Sequence, residues 1–363
     1  MSYGTVNADV IGTSVANTSL GAGNASIMKN RIINGAMVID QRNAGASVTP
    51  TTDGQYTLDR FALGLSQASK FSIQQTTTAP TGFVNSLKAT VLSAVTVGSS
   101  DYFFLLQSIE GYNIADLGWG TANAKTVTLS FQVYSSLTGT FGGAIYNQNN
   151  GAPRSYPFTY TVSSANTWTS ISVTIAGDTS GTWATTNGAG MTVRFGLGAG
   201  SSFSGTAGAW AGSNLVSATG ATSVVGTNGA TFYLTGCQLE VGSSATGFEY
   251  RIYGTEFVNC QRYYQTYTQP PLRGACASSS AANRMAMILP VVMRAAPTAV
   301  VGALPVYDGV ATSTVSSVAV SYLYVSQVEF DFNTTSATLT TGRPALIYQN
   351  GNTALSMTLS AEL

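Results

Sequence analysis

Histidine is absent from this sequence, and charged residues are scarce. The 363 residues contain no His, and Asp, Glu, Lys and Arg together make up 8% of them, against about 25% in an ordinary soluble domain. Because His is the commonest general base and metal ligand, its absence excludes a Ser-His-Asp triad and leaves Cys and carboxylates as the main candidate zinc ligands. The surface must be covered mainly by Ser, Thr, Asn, Gln and Gly, which is typical of extracellular β scaffolds and of surfaces that meet neutral sugars.

Cysteines, basic clusters and long apolar segments are also in short supply. The three Cys (Cys237, Cys260 and Cys276) have no C-x-x-C spacing, and this odd, sparse count argues against a disulfide framework. The 15 Lys and Arg form no basic run, so we expect no nucleic-acid partner. No segment approaches the roughly 20 apolar residues of a membrane span, and the N-terminus lacks the features of a signal peptide, so we expect no membrane insertion and no ordinary secretion.

The sequence does contain many turn residues and a clear period-2 alternation. Its 39 Gly suit tight turns and bulges. In "VTLSFQVY", Val127, Leu129, Phe131 and Val133 share one strand face, and polar residues occupy the other. Similar segments predict at least eight strands before residue 252. Because each sheet then has one buried face, two sheets must pack together, which predicts an all-β fold built on a jelly-roll β-sandwich.

Changes in composition divide the chain into four predicted segments. Residues 1–28 are polar and nearly uncharged, and are either a disordered tail or a docking peptide that orders on a partner. Residues 29–252 form the jelly roll, and 253–270 form a linker with a short helix, for which Thr255 is a plausible N-cap. Residues 271–363 form a smaller β domain whose core is marginal alone, which favours oligomerisation.

The junction between the two β regions concentrates charge and aromatic residues. Glu249 and Arg251 either form a charge-assisted pair that pins the end of the jelly roll to its sheet edge, or remain two solvated charges. The next segment, "FVNCQRYYQTY", is too short to hold as an isolated helix and must pack against something. It packs either against neighbouring chains around a symmetry axis or on its own domain. The candidate intersubunit residues are Phe257, Cys260, Arg262, Tyr263 and Tyr264.

Several motifs resemble a family of tailed-bacteriophage fibre and virion structural proteins. "GCQLEVGSSATGFEYR", "FVNCQRYYQTY" and "LPVVMRAAPTAVV" match its junction, while "NRIINGAMVIDQRN", "YTLDRFAL" and "IEGYNIADLGWGTANAKTVTLSFQVYSS" are similar to its opening and middle strands. The resemblance covers about residues 29 to 300. Tyr250 and Ile252 depart from it, because Arg and Pro are common there, so an Arg-mediated subunit contact cannot be carried over.

The resemblance implies a carbohydrate-binding-module-like jelly roll followed by a variable C-terminal tip domain. It further implies a virion component of the tail, made in the host cytoplasm and assembled as a homotrimer. The N-terminal segment would dock on a tail, baseplate or other virion protein, and the distal domain would meet host polysaccharide or protein. Two alternatives remain: a capsid or baseplate connector that never meets the host, and a depolymerase that cleaves surface polysaccharide.

Aromatic and amide side chains in loops are the candidate glycan contacts. Trp168 begins a strand and is predicted to lie in the core, whereas the other three Trp lie in Gly-rich loops, where each is either an exposed platform or a loop anchor. In the C-terminal domain two loops mix aromatic and polar groups, although "QNGN" is first of all a hairpin turn. The candidates are Trp119, Trp183, Trp210, Tyr307, Asp308, Tyr348, Asn350 and Asn352.

One pair of carboxylates is a candidate for general acid/base catalysis. Glu329 and Asp331 are two apart on one strand face, about 6–7 Å from each other, which overlaps the carboxylate spacings of glycosidases. Polar strand faces produce such pairs routinely, so we expect no enzymatic activity and no cofactor. A calcium site built from loop carbonyls would leave no trace in the sequence and stays open.

Overall fold

The computed structural model describes residues 29–147, 152–268, 270–302, 305–335, 337–347 and 356–363. The predicted docking segment 1–28, and with it Tyr348, Asn350 and Asn352, lies outside the described residues. The chain folds as two compact units: the described residues up to Arg251 together with Leu363, and Ile252–Glu362. Strands dominate both units, so the predicted all-β class is confirmed.

The first unit is built mainly from antiparallel strands that are separated by Gly-, Ser- and Asn-rich turns. In chain order the strands are β1 (Tyr56–Leu58), β2 (Phe61–Leu65), β3 (Phe71–Thr76), β4 (Ser86–Val91), β5 (Tyr102–Glu110), β6 (Val127–Ser135), β7 (Gly139–Asn147), β8 (Arg154–Val162), β9 (Thr169–Ile175), β10 (Ala189–Ala199), β11 (Ser204–Gly205), β12 (Ser217–Ala218) and β13 (Thr231–Val241).

Two sheets pack face to face in this unit. Sheet I has the spatial order β1-β2-β5-β10-β7-β8, and sheet II has the order β3-β4-β13-β6-β9. The chain passes repeatedly from one sheet to the other, which is the predicted jelly-roll sandwich. The short strands β11 and β12 pair in parallel outside both sheets.

Alternating apolar residues build the core between the sheets, as predicted. The inward face of β6 is at most 2% exposed at Val127, Leu129, Phe131 and Val133. Phe131 of sheet II meets Phe195 of sheet I edge to face, with ring centroids 5.1 Å apart. Such aromatic pairs add about 0.5–1.5 kcal/mol beyond the area that they bury. The two sheets are therefore joined by direct contact of the predicted apolar faces.

A bulge in β13 makes one predicted strand face wrong. The sequence pattern places Tyr233 on the same face as Cys237, but the pairing of β13 with β6 shifts register between Thr235 and Gln238. Gly236 sits in this bulge with a left-handed φ of 62°. The extra residue reverses the alternation, so that Cys237 is buried in the core whereas Tyr233 lies on the outer face of sheet II.

The second unit begins with one helix and continues as two sheets. The helix is α1 (Tyr253–Gln261), and the strands are β14 (Tyr264–Tyr267), β15 (Arg273–Ser278), β16 (Ala281–Ile288), β17 (Thr298–Val301), β18 (Val306–Tyr307), β19 (Thr312–Ser313), β20 (Val315–Leu323), β21 (Gln327–Thr334), β22 (Pro344–Ile347) and β23 (Met357–Ser360). The sheet orders are β14-β23-β17 and β19-β18-β22-β15-β16-β21-β20. Within the described ranges, no helix is long and apolar enough to cross a membrane.

Helix α1 confirms the predicted short helix but not its predicted start. The N-cap is Ile252 rather than Thr255, and no side chain caps the helix there. The helix ends at Gln261, just before β14, which pairs with β23 near the C-terminus. The segment predicted as a linker is therefore folded into the second unit.

Three of the five candidate intersubunit residues are buried within a single chain. Cys260 and Tyr263 are both 0% exposed, and Tyr264 is 8% exposed. The prediction that these side chains pack against neighbouring chains is wrong, because the chain covers them itself. Phe257 and Arg262 are half-buried, and the Phe257 ring stacks on Tyr253 at 6.2 Å. Trimerisation itself stays a prediction.

The alternation in β20 does not mark a buried face. Val320 and Tyr322, which the sequence pattern assigns to one apolar face, are 53% and 49% exposed, and Tyr324 just beyond the strand is 52% exposed. Strand β20 is an edge strand that pairs with β21 alone, and its register shifts between Val320, which lies opposite the buried Phe330, and Tyr322, which lies opposite Glu329. The two side chains therefore belong to different faces of the sheet. The core of the second unit instead uses Phe330 and Phe332 of β21.

Candidate functional site

The three loop tryptophans gather into one cluster rather than separate platforms. Trp119, Trp183 and Trp210 meet edge to face in all three pairings, with ring centroids 4.7, 5.3 and 5.6 Å apart. Each indole N–H donates to a backbone carbonyl oxygen of the chain. Trp119 and Trp183 are each only 6% exposed. Of the two predicted roles these two are therefore loop anchors, and their candidacy as glycan contacts is wrong. Trp210 is half-buried.

A charge pair stabilises the edge of this cluster. Arg154 donates from Nε to Asp178 Oδ2 at 2.7 Å and from Nη2 to Oδ1 at 2.6 Å, a bidentate arrangement. The guanidinium carbon lies 6.0 Å from the centre of the Trp210 ring. Its hydrogen bonds to Asp178 raise the pKa of Arg154. The loop Trp cluster is therefore a satisfied, packed anchor with little surface for a ligand.

A different aromatic cluster lies on the outer face of sheet II. Trp168 lies on this outer face, where it is half-buried beside Tyr134 and Tyr233, with ring centroids 5.5 and 6.2 Å away. The prediction that Trp168 lies in the core is therefore wrong. Lys88 Nζ lies 5.6 Å from the centre of the Tyr233 ring. We name Tyr134, Trp168 and Tyr233 the outer aromatic patch. In "VTLSFQVY" Tyr134 occupies the polar face of the alternation. This position was the sequence signal that an aromatic ring lies on the outer face of the sheet.

A groove of about 390 Å³ lies next to this patch on the same sheet face. Its floor is formed by uncharged polar side chains of two neighbouring strands, β6 and β9: Ser130, Gln132, Ser170 and Ser172. Ser170 Oγ donates to Gln132 Oε1 at 3.0 Å, which orients the amide. Tyr134 of β6 and Trp168, the residue just before β9, lie two residues from the floor positions Gln132 and Ser170, a step of about 6–7 Å along an extended chain. We name this cavity the outer groove.

Three aromatic rings form one wall of the outer groove. The rings of Phe83, Phe248 and Tyr250 pack together with centroids 4.9 to 5.5 Å apart. Tyr250 is 61% exposed, and its hydroxyl donates to the Gly82 carbonyl oxygen at 2.9 Å. None of the residues lining the groove carries a charge. The groove thus combines ring faces with hydroxyl and amide groups, without any ion that a ligand would have to desolvate.

The described candidates of the C-terminal tip are structural or partly covered. Asp308 is 3% exposed, and its carboxylate accepts hydrogen bonds from the backbone N–H groups of Val310, Ala311 and Thr340 at 2.7 to 2.9 Å. These N–H groups hold the pKa of Asp308 well below its usual range. The prediction of Asp308 as a receptor contact is wrong, because its carboxylate is used to order a turn. Tyr307 is half-buried in β18.

The two carboxylates of β21 do not share a cavity in the part of the chain that the structure describes. Asp331 accepts from the Arg284 backbone N–H at 2.8 Å and from Ser321 Oγ at 2.6 Å, and it lines a cavity of about 400 Å³. Glu329 does not line that cavity, and its Oε1 accepts from Gln327 Nε2 at 2.6 Å. Among the residues that the structure describes, no group of three or more His, Cys, Asp or Glu could hold a metal ion.

Comparisons with known proteins return structural likenesses alone. No protein-family model matches the chain, and no curated protein matches it. The enzymatically active domain of tailspike protein 4 of bacteriophage CBA120 is 12% identical, with a TM-score of 0.34 over 59% of this chain and 21% of that one. A putative sugar binding protein from Bacteroides thetaiotaomicron is also 12% identical, with a TM-score of 0.34 over 59% of this chain and 100% of that one.

A carbohydrate-binding module is among the other similar structures. The family 11 module from Clostridium thermocellum, solved with a mixed-linked β-1,3-1,4 tetrasaccharide, is 10% identical, with a TM-score of 0.28 over 56% of this chain and 98% of that one. Likenesses with TM-scores of 0.28 to 0.34 do not identify the family of this chain and do not assign it a ligand.

Proposed function

We propose that this chain is a non-enzymatic virion protein, a trimeric tail fibre that attaches to glycans on the host surface through its jelly-roll unit. The motifs shared with tailed-bacteriophage fibre proteins support the virion role. The outer groove, with the outer aromatic patch beside it, supports glycan binding and is the observation that carries the proposal.

The chemistry of the groove suits a neutral sugar chain. Sugar rings present apolar C–H faces that pack on aromatic rings such as Tyr250 and Trp168, while their hydroxyls exchange hydrogen bonds with side chains such as Gln132 and Ser172. Each such hydrogen bond adds only about 0.5–1.5 kcal/mol net. A single groove therefore binds weakly, and a trimer that presents three grooves to one surface gains avidity.

The direct test is titration of the full chain with a panel of neutral gluco-, galacto- and xylo-oligosaccharides. We expect at least one to bind, and we expect Trp168→Ala and Tyr250→Ala to weaken that binding about ten-fold or more. Tyr112→Ala is the matched control, because Tyr112 is 59% exposed but lies outside the groove. Binding that is equal in all four proteins would contradict the proposed site.

Two further measurements separate the alternatives. Release of reducing ends from host polysaccharide, abolished in Asp331→Asn, would establish a depolymerase in place of a passive fibre. Sedimentation of the full chain tests the trimer, and a monomer at micromolar concentration would contradict it. A trimer that binds no host cells and none of the oligosaccharides would identify a connector.

A further inference from the structure

A second cavity lies on the outer face of sheet I, between β5, β10 and the segment before β12. It measures about 240 Å³, smaller than the roughly 300 Å³ at which sites for drug-sized ligands begin. Exposed Asp53 and Asn214 stand at its mouth, and half-buried Tyr102 and Phe203 form an aromatic wall with ring centroids 4.9 Å apart. We name it the Arg194 cavity, after the cation that also lines it.

Arg194 is a buried cation held between two aromatic rings. It is 7% exposed, and its guanidinium carbon lies 5.0 Å from the Phe104 ring centre and 3.8 Å from that of Tyr146. Nη1 donates to Asn214 Oδ1 at 2.6 Å and to the Leu215 carbonyl oxygen at 3.0 Å. These contacts orient the guanidinium without neutralising it.

The described residues satisfy the Arg194 guanidinium only in part. Its Nε is buried and lacks a hydrogen-bond partner there. Arg31, Arg154 and Arg251 each pair with a carboxylate, but no described carboxylate lies within ion-pairing distance of Arg194. Burial lowers the pKa of Arg194 to about 10, so it remains charged at neutral pH. Asp53, at the exposed mouth, favours the charged form of Arg194 from beyond ion-pairing distance. An anionic ligand in the cavity would supply a closer counter-ion for this buried charge.

We propose that the Arg194 cavity binds an acidic sugar, a uronic acid residue whose carboxylate pairs with the Arg194 guanidinium. The aromatic wall would contact the sugar ring, and the mouth residues Asn214 and Asp53 would bond its hydroxyls. A single cation with Asp53 nearby suits one carboxylate better than a doubly charged phosphate. This site is separate from the outer groove, and its proposal does not depend on neutral-glycan binding there.

The test uses two α-1,4-linked trisaccharides that differ only at C6 of each sugar, which is a carboxylate in one and a CH2OH group in the other. Full-length protein is titrated with trigalacturonate and with galactotriose at low ionic strength. Because hydrogen bonds to charged groups are stronger than those between neutral groups, we expect trigalacturonate to bind at least about ten-fold more tightly, a difference of about 1.4 kcal/mol. We also expect this preference to shrink as salt is added.

Two variants locate the site on the protein. Arg194→Lys keeps the charge but loses the planar fork, and Asn214→Trp fills the mouth from an exposed position. Both are expected to lower the affinity for trigalacturonate at least ten-fold. Arg273→Gln removes a positive charge from an exposed position in the second unit, and Tyr250→Ala alters the outer groove; both are expected to bind trigalacturonate normally.

Equal affinity for the two ligands, or a preference that survives in both Arg194→Lys and Asn214→Trp, would overturn the proposal. Thermal unfolding checks that each variant is folded. If Arg194→Lys does not fold, the result with Asn214→Trp decides the outcome. Loss of neutral-sugar binding in Tyr250→Ala with trigalacturonate binding intact would concern the outer groove alone, so that the two proposals can fail independently.

Discussion

Glu249 is hydrogen-bonded to Asn30, a residue 219 positions earlier in the chain: its Oε2 accepts from the Asn30 backbone N–H at 2.7 Å. The same oxygen lies 3.2 Å from Arg251 Nη2, and Arg251 Nη1 donates to the Ile32 carbonyl oxygen at 3.1 Å. The charge pair suggested by "TGFEYR" therefore exists, and it ties the end of the jelly-roll unit to the beginning of that unit.

Removing Arg251 should weaken the first unit. Arg251→Ala leaves the Glu249 carboxylate and the backbone carbonyls of Asn30 and Ile32 with fewer partners. We expect it to lower the free energy of unfolding by about 1–3 kcal/mol. Urea denaturation measures this, and Arg273→Ala, at an exposed position, serves as the control. Equal effects of the two substitutions would mean that the pair is only a solvated contact.

Gly236 should be far less tolerant of substitution than another glycine of similar backbone conformation. Gly236 and Gly229 have φ values of 62° and 75°. A Cβ at Gly236 would lie 2.8 Å from Phe83 Cζ, whereas at Gly229 it would meet nothing within 4 Å. We expect Gly229→Ala to cost about 1–2 kcal/mol from the left-handed backbone alone, and Gly236→Ala to cost more. Similar unfolding midpoints would show that the bulge accommodates the methyl group.

Substitution of Trp183 should mainly lower stability, whereas substitution of Trp168 should mainly weaken glycan binding. Trp183→Ala leaves a cavity in the loop Trp cluster, and we expect it to cost about 3–5 kcal/mol. Trp168→Ala removes a half-buried ring, so its main effect should be on oligosaccharide binding. Parallel denaturation and titration of both variants check this. A stable Trp183→Ala protein that had lost glycan binding would restore Trp183 as a ligand contact.

Acid should destabilise the second unit through Asp308. Its pKa is lowered in the folded chain, so its contribution to stability is complete above the ordinary value of 3.8 and is lost as the pH falls below that value. Asp308→Asn removes one acceptor from the turn, and we expect it to be less stable than the parent at pH 7. The difference should shrink as the pH falls below 3.8, as measured by urea unfolding at successive pH values. A difference independent of pH would contradict this assignment.

Local alternation and spacing were enough to predict the inward faces of the sandwich strands and the short helix after Arg251. Period-2 alternation decides these faces wherever a strand runs without interruption, as in β6. The same rule fails in β13, because strict alternation takes no account of the bulge at Gly236, although an isolated Gly within a strand pattern is a bulge signal. It also fails in β20, an edge strand in which a register shift between Val320 and Tyr322 interrupts the alternation.

The sequence by itself determined the all-β class and the paired apolar faces, because both depend on residues close together in the chain. It offered the Glu249–Arg251 contact only as one of two alternatives. Only the tertiary structure decided which aromatic rings are exposed and where the cavities lie. Trp119 and Trp183 are buried because loops distant in sequence bring their indoles together with that of Trp210. Trp168 is half-buried beside the outer groove. The environment of Arg194 likewise comes from segments far apart in the chain, and no local pattern encodes it.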